Sequence, residues 1–137
     1  MIGMILIAHA HIASEMRRAV EHVLGAQTQF EAIDVLDSND VELIRSQLLI
    51  AVKRCDSGAG VIVFADLFGG TPCNIALAQM QQGQGEIISG FNLPMLIKTA
   101  SKRKQEQTLR QLAQMIEVAG KQYVRLASGT DVEELSI

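Results

Sequence analysis

Apolar positions along this chain follow two periods in turn. Met4-Ile5-Leu6-Ile7-Ala8 is an unbroken apolar run that ends on His9, and Val61-Ile62-Val63-Phe64-Ala65 is a second that ends on Asp66. Short runs without polar interruption are the pattern of strands covered on both faces, as in a parallel sheet flanked by helices. Between them, Met16, Ala19, Val20, Val23 and Leu24 recur with helical spacing, and Gly25 closes that helix. Phe30–Leu36 reads as a second strand. Asp37-Ser38-Asn39-Asp40 follows as a turn rich in capping residues, before a helix with Ile44, Leu48 and Val52 on one face.

The second half repeats the alternation. Thr71 as N-cap with Pro72 at the first helical position predicts a helix to about Gln82. Gly83–Gly85 turns the chain into a fourth strand, Glu86–Gly90, and Phe91–Leu96 reads as a loop with a short helix after it. Leu109, Leu112, Ala113 and Ile116 mark a longer helix near Glu106–Ala119. A short final strand is expected at Tyr123–Ala127, then an acidic tail, mobile after about residue 128. The implied fold is α/β: a three-layer sandwich with a mainly parallel sheet, strand order about 2-1-3-4, in one domain over residues 1–137.

Composition narrows the classes. With 137 residues, 48% hydrophobic and 20% charged, the chain is an ordinary globular one, long enough for a real core. Net charge is −3 and no basic cluster is interleaved with aromatics, so nucleic-acid binding has no electrostatic footprint. The densest basic stretch, Lys98–Lys104, reads as a solvated helix end. No run approaches the ~18 apolar residues of a membrane span, and no basic n-region precedes Met4–Ala8, so a cytoplasmic protein is expected. Cys55 and Cys73 have no metal-type spacing and read as reduced core thiols. No metal and no cofactor are expected.

The chemistry gathers where the two apolar runs stop. Ligands of parallel α/β sheets bind at the carboxyl ends of strands, so neighbouring strands one and three would bring His9 and Asp66 together. Leu67-Phe68-Gly69-Gly70-Thr71-Pro72 follows directly and opens a helix, whose free N–H groups suit one phosphoryl group. A carboxylate on one imidazole nitrogen fixes the tautomer and leaves the other as nucleophile. His11 could compete for that role, but the sequence designates no carboxylate for it; His22 lies within the first helix. There is no Walker-type loop and no G-x-G-x-x-G after the first strand, which sets aside triphosphate and dinucleotide sites.

Three blocks carry a resemblance over nearly the whole chain: Ile5-Leu6-Ile7-Ala8-His9-Ala10 with Ala13 and Met16; Asp66-Leu67-Phe68-Gly69-Gly70-Thr71-Pro72-Cys73-Asn74; and Gly90-Phe91-Asn92-Leu93-Pro94-Met95-Leu96. With them the sequence resembles the mannose-type IIA domains of the bacterial phosphoenolpyruvate-dependent sugar phosphotransferase system. The resemblance implies that His9 accepts phosphate from the phosphohistidine of the carrier HPr and passes it to a IIB domain. Asp66 would orient His9; Gly69, Gly70 and Thr71 would cradle the phosphoryl group; Phe68, Asn92 and Pro94 would wall the site. It also implies a homodimer that exchanges its terminal strand. One departure is Ala10, where the family commonly has glycine; alanine would be strained there if the backbone needs positive φ.

Other functions remain in view. A receiver domain would place its phosphorylated aspartate at Asp66, but the acidic pair it needs after the first strand is replaced by Ala8-His9-Ala10-His11. A flavodoxin would need a hydroxyl-rich loop there instead. A stand-alone regulatory phosphoprotein with no sugar of its own fits the same residues as a transport component, since no IIB segment is expected within the chain.

Overall fold

A computed structural model describes residues 1–36, 40–80 and 85–129. Asp37–Asn39, Gln81–Gln84 and the tail from Thr130 lie outside the described residues, and with them most of the turn expected before the second helix, the expected end of the third helix and the acidic tail.

Four strands, β1 (Gly3–His9), β2 (Phe30–Val35), β3 (Val61–Ala65) and β4 (Gly85–Ser89), form a parallel sheet in the order β2-β1-β3-β4. Helices α1 (Ile12–Leu24), α2 (Val41–Cys55), α3 (Thr71–Met80), α4 (Leu93–Lys102) and α5 (Leu109–Gln122) cover it. The two faces read directly off strand parity. Met4, Leu6 and Ala8 of β1 pack into a core with α1, α4 and α5, while Ile5 and Ile7 pack into a second core with α2 and α3. This explains the unbroken apolar runs: every strand residue of β1 before His9 is buried.

Local signals set the helix starts. Asp40 accepts from Leu43 N at 3.1 Å, and Asn92 accepts from Met95 N at 2.9 Å. Thr108 and Gln111 form a capping box, which starts α5 at Leu109 rather than near Glu106. The expected cap at Thr71 is displaced by one residue. Asn74 N donates to Gly70 O at 2.9 Å, so Gly70 is the N-cap, Thr71 the first helical residue and Pro72 the second.

Two expectations are corrected. Among the described residues 123–127 form no strand: α5 continues to Gln122, Tyr123 is a turn, and 124–127 lie outside the four-stranded sheet. The amphipathic period of α5 runs on through Ala119 and Gly120, so the helix absorbs the residues that would have led into the strand. Nor is the Lys98–Lys104 stretch a solvated end throughout. Arg103, at the C-terminus of α4, is 1% exposed. Its guanidinium donates to the carbonyls of Ile2, Thr28 and Gln29 and to Gln27 Oε1, at 2.6–3.3 Å. Burial lowers its pKa, and the cation is stabilised by backbone oxygens rather than water.

Candidate active site

The carboxyl end of the sheet is built by where the strands stop. Ile7 of β1 pairs with Ala65 of β3, so the next residues on each strand diverge from the ladder side by side. Asp66 Oδ2 there accepts from His9 twice, from the backbone N at 3.1 Å and from Nδ1 at 2.8 Å. A carboxylate only accepts, so Nδ1 carries the proton and Nε2 presents its lone pair. The ring is about half exposed and Asp66 mostly covered. Asp66 Oδ1 is buried with no hydrogen-bond partner among the described residues.

Gly70 lies against the same ring. A Cβ at Gly70 would stand 3.0 Å from His9 Cε1 and 3.6 Å from Nε2. The absence of a side chain thus brings the N-cap of α3 onto the edge of the imidazole that holds the free nitrogen. The first N–H groups of a helix have no intrahelical acceptor, and its dipole favours an anion at that end. Gly69 takes φ +83°, which lets the turn fold back, and Asn74 Nδ2 ties its carbonyl at 3.2 Å. The structure therefore brings together His9, Asp66 and the Gly69-Gly70-Thr71 turn. An exposed nucleophilic nitrogen beside a helix N-terminus is suited to hold and hand over a phosphoryl group.

Two of the residues expected to wall the site, Phe68 and Asn92, line one groove, and Pro94 lies on α4. Asn92 caps α4, and its Nδ2 donates to Gly120 O of α5 at 3.2 Å. Pro94 stands exposed on the first turn of α4. Phe68 is 77% exposed and, with Asn92, lines a groove of about 660 Å³ between β4 and α5.

Ala10 takes φ +51°, with its N–H donating to Val35 O at 3.0 Å. The left-handed turn that glycine would make freely is made here by alanine, so the departure does carry strain. His11 follows as N-cap of α1 without using its side chain as a cap.

Sequence reasoning missed a second histidine–carboxylate pair. Asp34 of β2 accepts from Ser14 N at 2.9 Å and from Ser14 Oγ at 2.6 Å, and its Oδ2 lies 3.2 Å from His11 Nδ1. Partial burial opposes the Asp34 charge, but the Ser14 bonds and His11 outweigh it and lower the carboxyl pKa. So His11 does have a carboxylate. Strand logic would have found it, because Asp34 pairs with Ala8 one residue before β1 ends. His22 is exposed on α1.

A parallel four-stranded sheet carrying a histidine–aspartate pair at a glycine-opened helix defines a class, the sugar-phosphotransferase IIA fold. The family model EIIA-man, described as the PTS system fructose IIA component, matches residues 3–117, and the chain belongs to this family. It is 30% identical over 97 residues to the sorbose-specific EIIA component of Lacticaseibacillus casei, covering 70% of each chain. It is 25% identical over 134 residues to the mannose-specific EIIAB component of Escherichia coli K12. That match takes in 97% of this chain but 42% of the E. coli protein, so the chain spans less than half of that relative. Among solved structures, component EIIA of Streptococcus agalactiae superposes with a TM-score of 0.82 at 25% identity, over 95% of this chain and all of that one. The mannose/sorbose-specific IIA subunit of Enterococcus faecalis gives 0.75 at 26% identity, over 98% of both chains. No helix among the described residues is long and apolar enough to cross a membrane.

Proposed function

We propose that the protein is a cytoplasmic phosphocarrier of the sugar phosphotransferase system, taking a phosphoryl group from HPr onto His9 Nε2 and passing it to a IIB component. The observation that carries this is the Asp66 Oδ2–His9 Nδ1 bond at 2.8 Å with Gly70 packed against the Cε1–Nε2 edge of the ring. Nε2 attacks phosphorus as the donor's N–P bond breaks. The imidazole becomes a phosphoimidazolium, its charge balanced by Asp66, while the N–H groups at the start of α3 face the phosphoryl oxygens. Positioning and fixed dipoles suffice for a loose transfer transition state. Thr71 stands beside them at the first helical position, and Phe68 offers an exposed apolar contact to an incoming partner. The sugar-specific names of the relatives favour a transport component over a stand-alone regulatory one.

Incubation with phosphoenolpyruvate, the first enzyme of the system and HPr, followed by a IIB acceptor, tests the reading. The wild type relays label to IIB, His9→Ala does not, and His11→Ala and His22→Ala retain most of the relay. A His9→Ala variant that still delivers phosphate to IIB overturns it.

The same reading includes a homodimer by exchange of the C-terminal segment. Among the described residues β4 has a strand neighbour on one side only, and its outer flank opens into the β4–α5 groove. Val124, 79% exposed, leaves α5 at the groove's rim. An open strand edge is a template for pairing, and exchange of a terminal element is a low-cost route to a two-fold dimer. Sedimentation gives a dimer for the wild type and a monomer after truncation beyond Gln122, which keeps the Asn92–Gly120 tie intact. A monomeric wild type at micromolar concentration defeats this part alone.

A further inference from the structure

The two histidines that follow the β1 apolar run are built alike. β1 is the second strand of the order β2-β1-β3-β4, and a carboxylate closes each side of its end: Asp66 from beyond β3 and Asp34 from β2. His9 gives Nδ1 to the first and His11 gives Nδ1 to the second. Asp34 is in turn fixed by Ser14, through both its N–H and its hydroxyl, so this carboxylate is held in place before any partner arrives. His11 is exposed, so its Nε2 side is open to a donor. His22 supplies the contrast: it is exposed on the same helix, and no carboxylate pairs with it among the described residues.

We propose that His11 is a second phosphoryl acceptor, using Nε2 as nucleophile with Asp34 and Ser14 orienting the ring. In the step, the Nε2 lone pair forms a bond to phosphorus and the donor's P–N bond breaks, its electron pair and a solvent proton leaving with the donor amine. The Nδ1 proton stays on His11, hydrogen-bonded to Asp34, which balances the positive charge of the phosphoimidazolium. The donor class is a phosphoramidate-type P–N compound, of which a phosphohistidine is one form. The helix end differs between the two pairs. Asp34 already occupies the N-terminus of α1 through Ser14 N, whereas α3 presents Gly70 to His9. His11 is therefore the slower acceptor and the one without a dedicated cradle.

The experiment uses potassium phosphoramidate as donor on the full chain, with intact mass and peptide mapping as readouts. It does not depend on HPr, so its outcome is separate from that of the relay assay, although the notion of a second acceptor rests on reading His9 as the first. Wild type takes up two phosphoryl groups, on His9 and His11. His9→Ala takes up one, on His11, and His9→Ala with His11→Gln takes up none at comparable rate. Within the His9→Ala background, Asp34→Asn slows His11 labelling about tenfold while leaving His22 unchanged, the effect expected of losing an orienting carboxylate. Asparagine still accepts from Ser14 N, so the fold is kept. Ser14→Ala, which loosens Asp34 without removing its charge, gives a smaller slowing. Labelling of His22 as fast as His11, or an Asp34→Asn rate equal to the parent, overturns the proposal.

Discussion

His9 gives both its backbone N–H and its Nδ1 to a single oxygen of Asp66, Oδ2, at 3.1 and 2.8 Å. One carboxylate thereby fixes both the strand end and the ring that projects from it, and the tautomer follows from its charge. Asp66→Asn keeps an oxygen that can accept both bonds but removes the charge that balances a phosphoimidazolium. Transfer from phospho-HPr is expected to slow by ~2–4 kcal/mol of barrier with little change in stability. Stopped-flow or quench transfer rates, read beside a thermal melt, check it. Wild-type rates would reduce Asp66 to a turn residue.

Gly70 matters for space rather than for conformation. A methyl at this position would sit 3.0 Å from His9 Cε1, tighter than ordinary van der Waals contact, and 3.6 Å from the nucleophilic nitrogen. Gly70→Ala should tilt the ring or push the α3 N-cap away, costing about tenfold or more in transfer rate, because small misplacements of reacting groups are expensive. The circular dichroism spectrum should stay that of the wild type. Full activity in Gly70→Ala would show that the donor approaches from another side.

Ala10 bears a conformational cost that its neighbours enforce. Its φ of +51° is held by the N–H to Val35 O bond and by the start of α1 one residue after His11. A left-handed alanine costs roughly 1–2 kcal/mol, and glycine returns part of that gain through its freer unfolded chain. Ala10→Gly is therefore expected to stabilise the protein by about 0.5–1 kcal/mol in urea unfolding. A destabilised variant would mean that the unfolded-chain entropy dominates.

How much of this was legible beforehand depended on where a residue's partner lies. The parallel sheet and its order followed from β1 and β3, because central strands show their burial as unbroken apolar runs. The His9–Asp66 pair followed from the same strands, since both residues sit where the runs stop. Asp34 obeyed the same rule but was passed over, because β2 is an edge strand whose pattern, Phe30, Ala32, Ile33 and Val35 among charged residues, reads as a surface strand. The terminal strand differed for another reason: residues 124–127 have strand propensity, but the period of α5 carries the helix through Gln122, and the described sheet is complete as β2-β1-β3-β4 without them. Arg103 was hidden most deeply, since its acceptors lie 74–101 residues away and no local pattern points to them.

Arg103 is accordingly the most destabilising single site expected outside the apolar core. Arg103→Ala would leave Ile2 O, Thr28 O and Gln27 Oε1 without this donor and open a cavity between α4 and the start of β1. A loss of about 3–4 kcal/mol is expected, combining unsatisfied buried acceptors with lost side-chain volume. Arg103→Lys should recover little of it, because an ammonium cannot reach acceptors arranged for a planar fork. Chemical denaturation of both variants checks this; a lysine variant as stable as wild type would show that charge rather than geometry holds the site.

Asp34 gives the pH dependence. Its carboxyl pKa in the fold is lowered despite partial burial, through the two Ser14 bonds and His11. A carboxyl whose folded pKa lies below its unfolded value of about 3.8 stabilises the fold at every pH above that value. That contribution is lost as pH falls through about 3.8 toward the lower folded value, where the folded and unfolded states bind the proton alike. Asp34→Asn cannot titrate, and its amide still accepts from Ser14 N at the start of α1. The variant should therefore be less stable than wild type by about 1 kcal/mol at pH 7, the typical worth of a charged helix cap. The gap should close as acid protonates Asp34 in the wild type. Paired thermal melts between pH 3 and 7 read this directly. A gap that persists undiminished at pH 3, or is absent at pH 7, would mean that the Asp34 charge does not support the N-terminus of α1 and that its bonds to Ser14 are worth no more than an amide's.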